Sequence, residues 1–155
     1  VHAVVRGRGL LLVNERADVA LAAGADGVHL PERSQPGEKV RAMTGDACIV
    51  GRSVHSVEAA RRAEAEGVDF VEVGAVYETT SKPGQMPGGV ELVRAVAEAV
   101  GVPVIGVGGI TAENVALVIE AGADGVAVIG AIMDADDPRE AAQGLRCALD
   151  AAYKG

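Results

Sequence analysis

The chain has 155 residues, 49% of them hydrophobic, which suffices for one domain with a buried core and is too apolar for a disordered segment. Asp and Glu outnumber Lys and Arg by 22 to 14, a net charge of −8, and the aromatic residues are Phe70, Tyr77 and Tyr153. These numbers exclude the basic footprint and the stacking platform that nucleic acid requires, but not a small anion, because a few backbone N–H groups make a local positive site within an acidic shell.

Short runs rich in Val and Ile recur along the chain: Leu10–Val13, Gly27–Leu30, Cys48–Val50, Phe70–Val73, Pro103–Val107 and Gly125–Ile129. They read as buried parallel strands. Segments with helical periodicity alternate with them, at Ala17–Ala23, Ser56–Glu66, Val90–Val100, Thr111–Ala121 and Pro138–Ala152. Ser56, Thr111 and Asp137 are predicted N-caps, and Gly24, Gly67, Gly101 and Gly122 follow the helices where a left-handed cap is wanted. An internal echo, AGADGV at 23–28, EGVDFV at 66–71 and AGADGV at 121–126, marks a helix end entering a strand, with one other strand between successive copies.

The expectation is therefore a single α/β domain over residues 1–155, of the TIM (β/α)8 barrel type built from pairs of βα units, with about six of the eight units present. A doubly wound open sheet is the second choice, since the first strand-to-helix turn, Asn14-Glu15-Arg16, lacks a G-x-G-x-x-G fingerprint. Two absent strands would leave unpaired edges, so the chain is expected either to be part of a longer protein or to associate. Cys48 and Cys147 read as reduced, buried thiols rather than a disulfide or metal framework. No apolar run reaches the roughly 18 residues of a membrane span, and the basic segment Val1–Gly9 precedes no signal-type core. Together these predict a cytoplasmic protein with no membrane partner.

Chemistry concentrates after the strands. Gly106-Val107-Gly108-Gly109-Ile110-Thr111 ends one strand and opens a helix, and Val128-Ile129-Gly130-Ala131 ends the next; consecutive glycine-rich turns of this kind suit one phosphate gripped by backbone N–H groups. The loop from Gly74 to Gly89 carries Thr79, Thr80, Ser81 and Lys82, three hydroxyls and a cation that suit a second anion such as pyrophosphate, on a loop long enough to close as a lid. Gly51-Arg52-Ser53-Val54-His55-Ser56 brings a cation, hydroxyls and an imidazole to another strand end, where His55 is either a base or a helix cap. His29 reads as a core or barrel-lining residue. Asn14 and Glu15 either help hold Mg²⁺ or begin a helix.

In these motifs the sequence resembles the thiamine phosphate synthase and TenI family from Leu10 to Pro138. The likeness rests on LLVNERAD at 11–18, GADGVHL at 24–30, GRSVHS at 51–56, TTSK at 79–82, GVGGIT at 106–111 and AGADGVAVI at 121–129. The resemblance implies a (β/α)8 barrel lacking its first two strands, and usually a homodimer. In the synthase branch a pyrimidine pyrophosphate loses pyrophosphate, and the nitrogen of a thiazole phosphate attacks the resulting carbocation. The resemblance implies that Ser53, Thr79, Ser81, Lys82 and Asn14 hold the pyrophosphate, and that Gly109, Ile129 and Gly130 hold the thiazole phosphate. Ser53, Lys82 and His55 are the candidate catalytic residues.

Where the synthase pattern carries two Mg²⁺-binding aspartates, this chain has Glu15 and Ser34, leaving Glu15 as the candidate metal ligand. The Gln-x-Arg-x-Lys stretch of the synthase pattern would precede Leu10. The tautomerase branch, which aromatises a thiazole carboxylate phosphate by proton transfer, matches GRSVHS, but it places a His where this chain has Ala75. The first expectation is thus a synthase-type transferase, the second a TenI-like tautomerase, and the third a non-catalytic protein that binds the same phosphorylated ligands.

Overall fold

The computed structural model describes residues 2–80, 84 and 86–154. Its elements run α1 (His2–Val5), β1 (Leu12–Asn14), α2 (Ala17–Ala23), β2 (Gly27–Leu30), α3 (Gly37–Thr44), β3 (Ile49–Val54), α4 (Val57–Ala65) and β4 (Phe70–Val73). They continue with α5 (Gly89–Ala97), β5 (Val104–Val107), α6 (Val115–Glu120), β6 (Gly125–Ala127), α7 (Gly130–Met133) and α8 (Pro138–Ala152). The six strands form one parallel sheet in the order β1-β2-β3-β4-β5-β6. A doubly wound sheet reverses its strand order at a switch point, so this unbroken sequential order rules that topology out and agrees with a curled, barrel-type winding. Among the described residues, β1 and β6 are each paired on one side only.

The periodic signals place α2, β2, β4 and α8 where the structure has them. Helix α3 was not expected: Val40 is its one fully buried large side chain, too little for a periodic signal. Strand β3 runs to Val54 rather than Val50, so Arg52 and Ser53 belong to the strand. Strand β6 stops at Ala127, because Gly130 opens the short helix α7.

Caps explain several boundaries. Ser56 accepts from the Ala59 N–H, and Asp137 from the N–H groups of Arg139 and Glu140, as expected. Thr111 does not cap α6. Its Oγ1 accepts from the Glu113 N–H, while Asn114 accepts from the Thr111 N–H and donates to the Gly109 carbonyl, so a closed turn stands before the helix and delays its start to Val115. Gly24, Gly67 and Gly122 adopt positive φ as predicted, whereas Gly101 is not among the positive-φ glycines. Cys147 is exposed on α8 and Cys48 half-buried, so the expectation of two buried thiols fails for Cys147, which lies on the solvent side of its helix; both are free.

The two faces of the sheet differ. Alternate residues Val28, Leu30, Val50, Val54, Val71, Val73 and Val104 are buried against the helices, where Val40, Val93, Val96, Val115 and Val118 meet them. Burying a side chain of this size contributes about 1.5–3 kcal/mol, so this layer is the main source of stability. The other face carries His29, Ser53, Phe70, Glu72, Ile105, Val107 and Ala127, all of them half-buried.

The sequence echo has a common structural role. Asp26, Asp69 and Asp124 each accept, through Oδ2, the N–H of a residue at the start of the preceding strand: Leu11 at 2.7 Å, Val50 at 2.7 Å and Val104 at 2.8 Å. Each also donates its own N–H to that residue's carbonyl. The clamps therefore join β1 to β2, β3 to β4 and β5 to β6. The residues entering β3 and β5, Cys48 and Pro103, carry no carboxylate.

Candidate active site

The loops at the carboxyl ends of β3 to β6 enclose a cavity of about 340 Å³. Ser53, His55, Thr79, Gly109, Ile129 and Gly130 all line it, so residues spread over almost eighty positions of sequence meet in one volume. Ser81 and Lys82 lie outside the described residues. Among the described lining residues there is no Lys or Arg, while Glu72, Glu78 and Asp134 contribute carboxylates. The other polar side chains of the lining are the hydroxyls of Ser53, Thr79, Thr80 and Thr111 and the His55 imidazole.

The double glycine after β5 lines the cavity and also has a packing role. Both residues adopt positive φ, +99° at Gly108 and +63° at Gly109. A Cβ on Gly108 would stand 2.8 Å from Ala75 Cβ, and one on Gly109 would stand 2.3 Å from the Glu78 carbonyl oxygen. The close neighbour is thus the backbone of the loop after β4. That loop donates from Val76 N–H to the Val107 carbonyl and from Tyr77 N–H to the Gly108 carbonyl. Its return is tied at the neck by bonds from Gly88 N–H to the Ala75 carbonyl and from Gly89 N–H to the Val76 carbonyl. Glycine lets two loops share the cavity wall, and Thr79 is carried in on the second of them.

His55 is not the helix cap, a role that Ser56 fills; its ring faces the cavity and its Nδ1 lies 2.6 Å from Glu32 Oε2. A carboxylate on one ring nitrogen leaves Nε2 for proton exchange with a ligand. Arg52, expected to offer a cation at the strand end, points to the opposite face instead and is 5% exposed. It donates to the Glu32 and Gln35 carbonyls and pairs with Glu66 at 3.3 Å, so it fixes the loop that presents Glu32 to His55. Alternation along a strand accounts for this, since Arg52 and Ser53 necessarily face opposite sides.

Asn14 and Glu15 do not line this cavity. Asn14 is exposed at the end of β1, and Glu15 lines a second depression with Ser34 and Gln35, further along the same rim at the ends of β1 and β2. Asp18 in that depression is bonded to Arg16, whose hydrogen bond holds the carboxyl well below the usual carboxylate range, at about 2. Glu15 adopts φ +63°, a left-handed conformation costly for a non-glycine residue. Among the described residues no group of three or more His, Cys, Asp or Glu side chains is arranged to hold a metal. No helix among them is long and apolar enough to cross a membrane.

The row formed by His29, Ser53 and Glu72 escaped sequence reasoning. His29 Nε2 lies 2.8 Å from Ser53 Oγ and 2.9 Å from Glu72 Oε2. The available signal was period-two alternation, which places every second residue of a strand on the inward face.

Comparison with known proteins agrees with this geometry. The family model described as thiamine monophosphate synthase matches residues 1–132. The thiamine-phosphate synthase of Natronomonas pharaonis is 50% identical over 143 residues, covering 90% of this chain and 67% of that protein. That of Haloarcula marismortui is 48% identical over 143 residues, covering 90% and 68%. The chain thus spans about two thirds of the length of these curated relatives. Among solved structures, thiamine phosphate pyrophosphorylase from Pyrococcus furiosus superposes with a TM-score of 0.88 at 37% identity, over 97% of this chain and 73% of that one. A cavity at the carboxyl ends of a sequentially wound parallel sheet, the matching family model and half-identical relatives converge: the chain belongs to the thiamine monophosphate synthase family.

Proposed function

We propose that the chain forms the site at which a hydroxymethylpyrimidine pyrophosphate is joined to a thiazole phosphate, with release of pyrophosphate. The observation that carries this reading is the convergence of Ser53 and Thr79 with Gly109, Ile129 and Gly130 on one cavity. In the proposed step the bond between the pyrimidine methylene and the pyrophosphate oxygen breaks, and the thiazole nitrogen supplies the electron pair for the new C–N bond. Ser53 and Thr79, with Ser81 and Lys82 of the same loop, stabilise the departing charge by hydrogen bonding. The N–H groups around Gly109 and Gly130 hold the thiazole phosphate in line with it.

The oxygen set of Glu15, Ser34 and Gln35 fits a divalent ion that keeps several waters and takes its other ligands from a phosphate, not a cage of protein carboxylates. Mg²⁺ there would neutralise charge on a pyrophosphate that reaches from the cavity along the rim to this depression. A closed eight-unit barrel and a homodimer are part of the same proposal.

The His55–Glu32 pair favours a second reading, proton transfer on a thiazole carboxylate phosphate, since it places an imidazole with a carboxylate partner at the cavity. Three measurements separate the readings. Thiamine phosphate formation from the two phosphorylated substrates with Mg²⁺ is the expected result. Conversion of the thiazole tautomer without the pyrimidine substrate would establish the second reading in its place. Calorimetric binding of both phosphorylated substrates with neither conversion would identify a non-catalytic binding protein.

A further inference from the structure

The cavity wall combines carboxylates with no described Lys or Arg, so an anion entering it meets Glu72 unless that charge is offset. His29 stands beside it. Ser53 and Glu72 are paired in register across β3 and β4, and His29 reaches them from β2, one level lower, opposite Gly51. Gly51 makes room for this arrangement: a Cβ there would fall 2.1 Å from Phe70 Cζ, and the Phe70 ring lies 5.9 Å from the His29 ring at a tilt of 36°. The imidazole and the Glu72 carboxylate are 17% and 18% exposed.

Both oxygens approach the same ring nitrogen, Nε2. A carboxylate so placed attracts an N–H and repels a lone pair, so Nε2 carries the proton. Ser53 Oγ then accepts from Nε2–H, which leaves the hydroxyl proton of Ser53 to be donated elsewhere, and the open side of Ser53 is the cavity.

We propose that His29 is a positioning residue for the anion site: held by Glu72, its Nε2–H fixes the Ser53 hydroxyl as a donor aimed at a pyrophosphate oxygen. The inference rests on the reading of the cavity as a pyrophosphate site. It assigns to His29 a role that reaches the ligand through Ser53, so the effects of changing the two residues should be coupled.

The test is calorimetric binding of inorganic pyrophosphate to the full chain and to four variants, with thermal unfolding recorded for each. Ser53→Ala and His29→Leu are each expected to weaken binding about tenfold, the size of one lost charge-assisted hydrogen bond. His29→Gln, which keeps an N–H donor at similar reach, should stay within about threefold of the unaltered chain, and His29→Leu combined with Ser53→Ala should bind no more weakly than Ser53→Ala alone. Additive losses, or full binding by His29→Leu, overturn the inference while leaving the anion site intact. Failure of the unaltered chain to bind pyrophosphate overturns the site reading and this inference with it. Should the leucine variant not fold, the ¹⁵N shifts of the His29 ring in the unaltered chain decide the matter: a proton on Nε2 supports the role, and a proton on Nδ1 alone overturns it.

Discussion

The side of the sheet that faces the helices and the side that faces inward are built from the same strands and obey different rules. On the helix side, valine after valine is fully buried, and the one buried charged residue there, Arg52, holds a loop rather than facing the cavity. On the inward side the same strands present half-buried Ser53 and Glu72, both within hydrogen-bond distance of His29 Nε2. Stability and chemistry are thus separated by one residue along the chain, and Arg52 beside Ser53 is the sharpest case.

The largest expected effect tests that separation directly. Leu30→Ala, on the helix side, should cost about 2–5 kcal/mol, whereas Ile105→Ala on the half-buried inward side should cost less than half as much; urea midpoints give both values, and equal losses would erase the distinction. Next comes Gly109→Ala. With a Cβ 2.3 Å from the Glu78 carbonyl and a positive φ, it should cost about 1–3 kcal/mol and also abolish phosphate binding by displacing the loop that carries Thr79. Retained affinity in a destabilised variant would show that the two loops do not share the wall.

Smaller still is Asp26→Ala, which removes the clamp on the Leu11 N–H and should cost about 1 kcal/mol. Amide exchange at Leu11 should rise while Val50 and Val104 stay protected. The smallest effect belongs to the rim. The Arg16 partner depresses the Asp18 carboxyl to about 2, so whatever stability the pair contributes is present above the usual carboxylate range and lost as pH falls through about 2. Acid titration of Asp18→Asn against the unaltered chain should show curves that converge in that region.

Much of this was legible in the residues. Alternating apolar runs and helical segments gave the barrel-type winding, and the strong caps Ser56 and Asp137 lie where their sequence contexts put them. Glycine clusters located the cavity, although the close approach they permit is to the loop after β4. Less was readable where tertiary packing decides. Helix α3 holds one fully buried valine and owes its place to the sheet beneath it, and the Asn114 turn displaced the expected Thr111 cap by bonds between neighbours. The row of His29, Ser53 and Glu72 is a relation between three strands, and no local pattern encodes a register across strands that the helices between them set.

The aspartate clamps have a bearing on how such a chain can change over generations. Because each ties one strand to its successor and skips the next seam, the molecule is modular in steps of two βα units. Duplication, loss or exchange of a whole pair leaves the three clamps intact, whereas any cut within a pair leaves an orphaned N–H and an Asp without its clamp partner. A seam at β2–β3 or β4–β5 can therefore be rejoined without loss of a clamp, provided that the Gly37–Glu66 and Gly101–Glu64 bonds between neighbouring pairs form again.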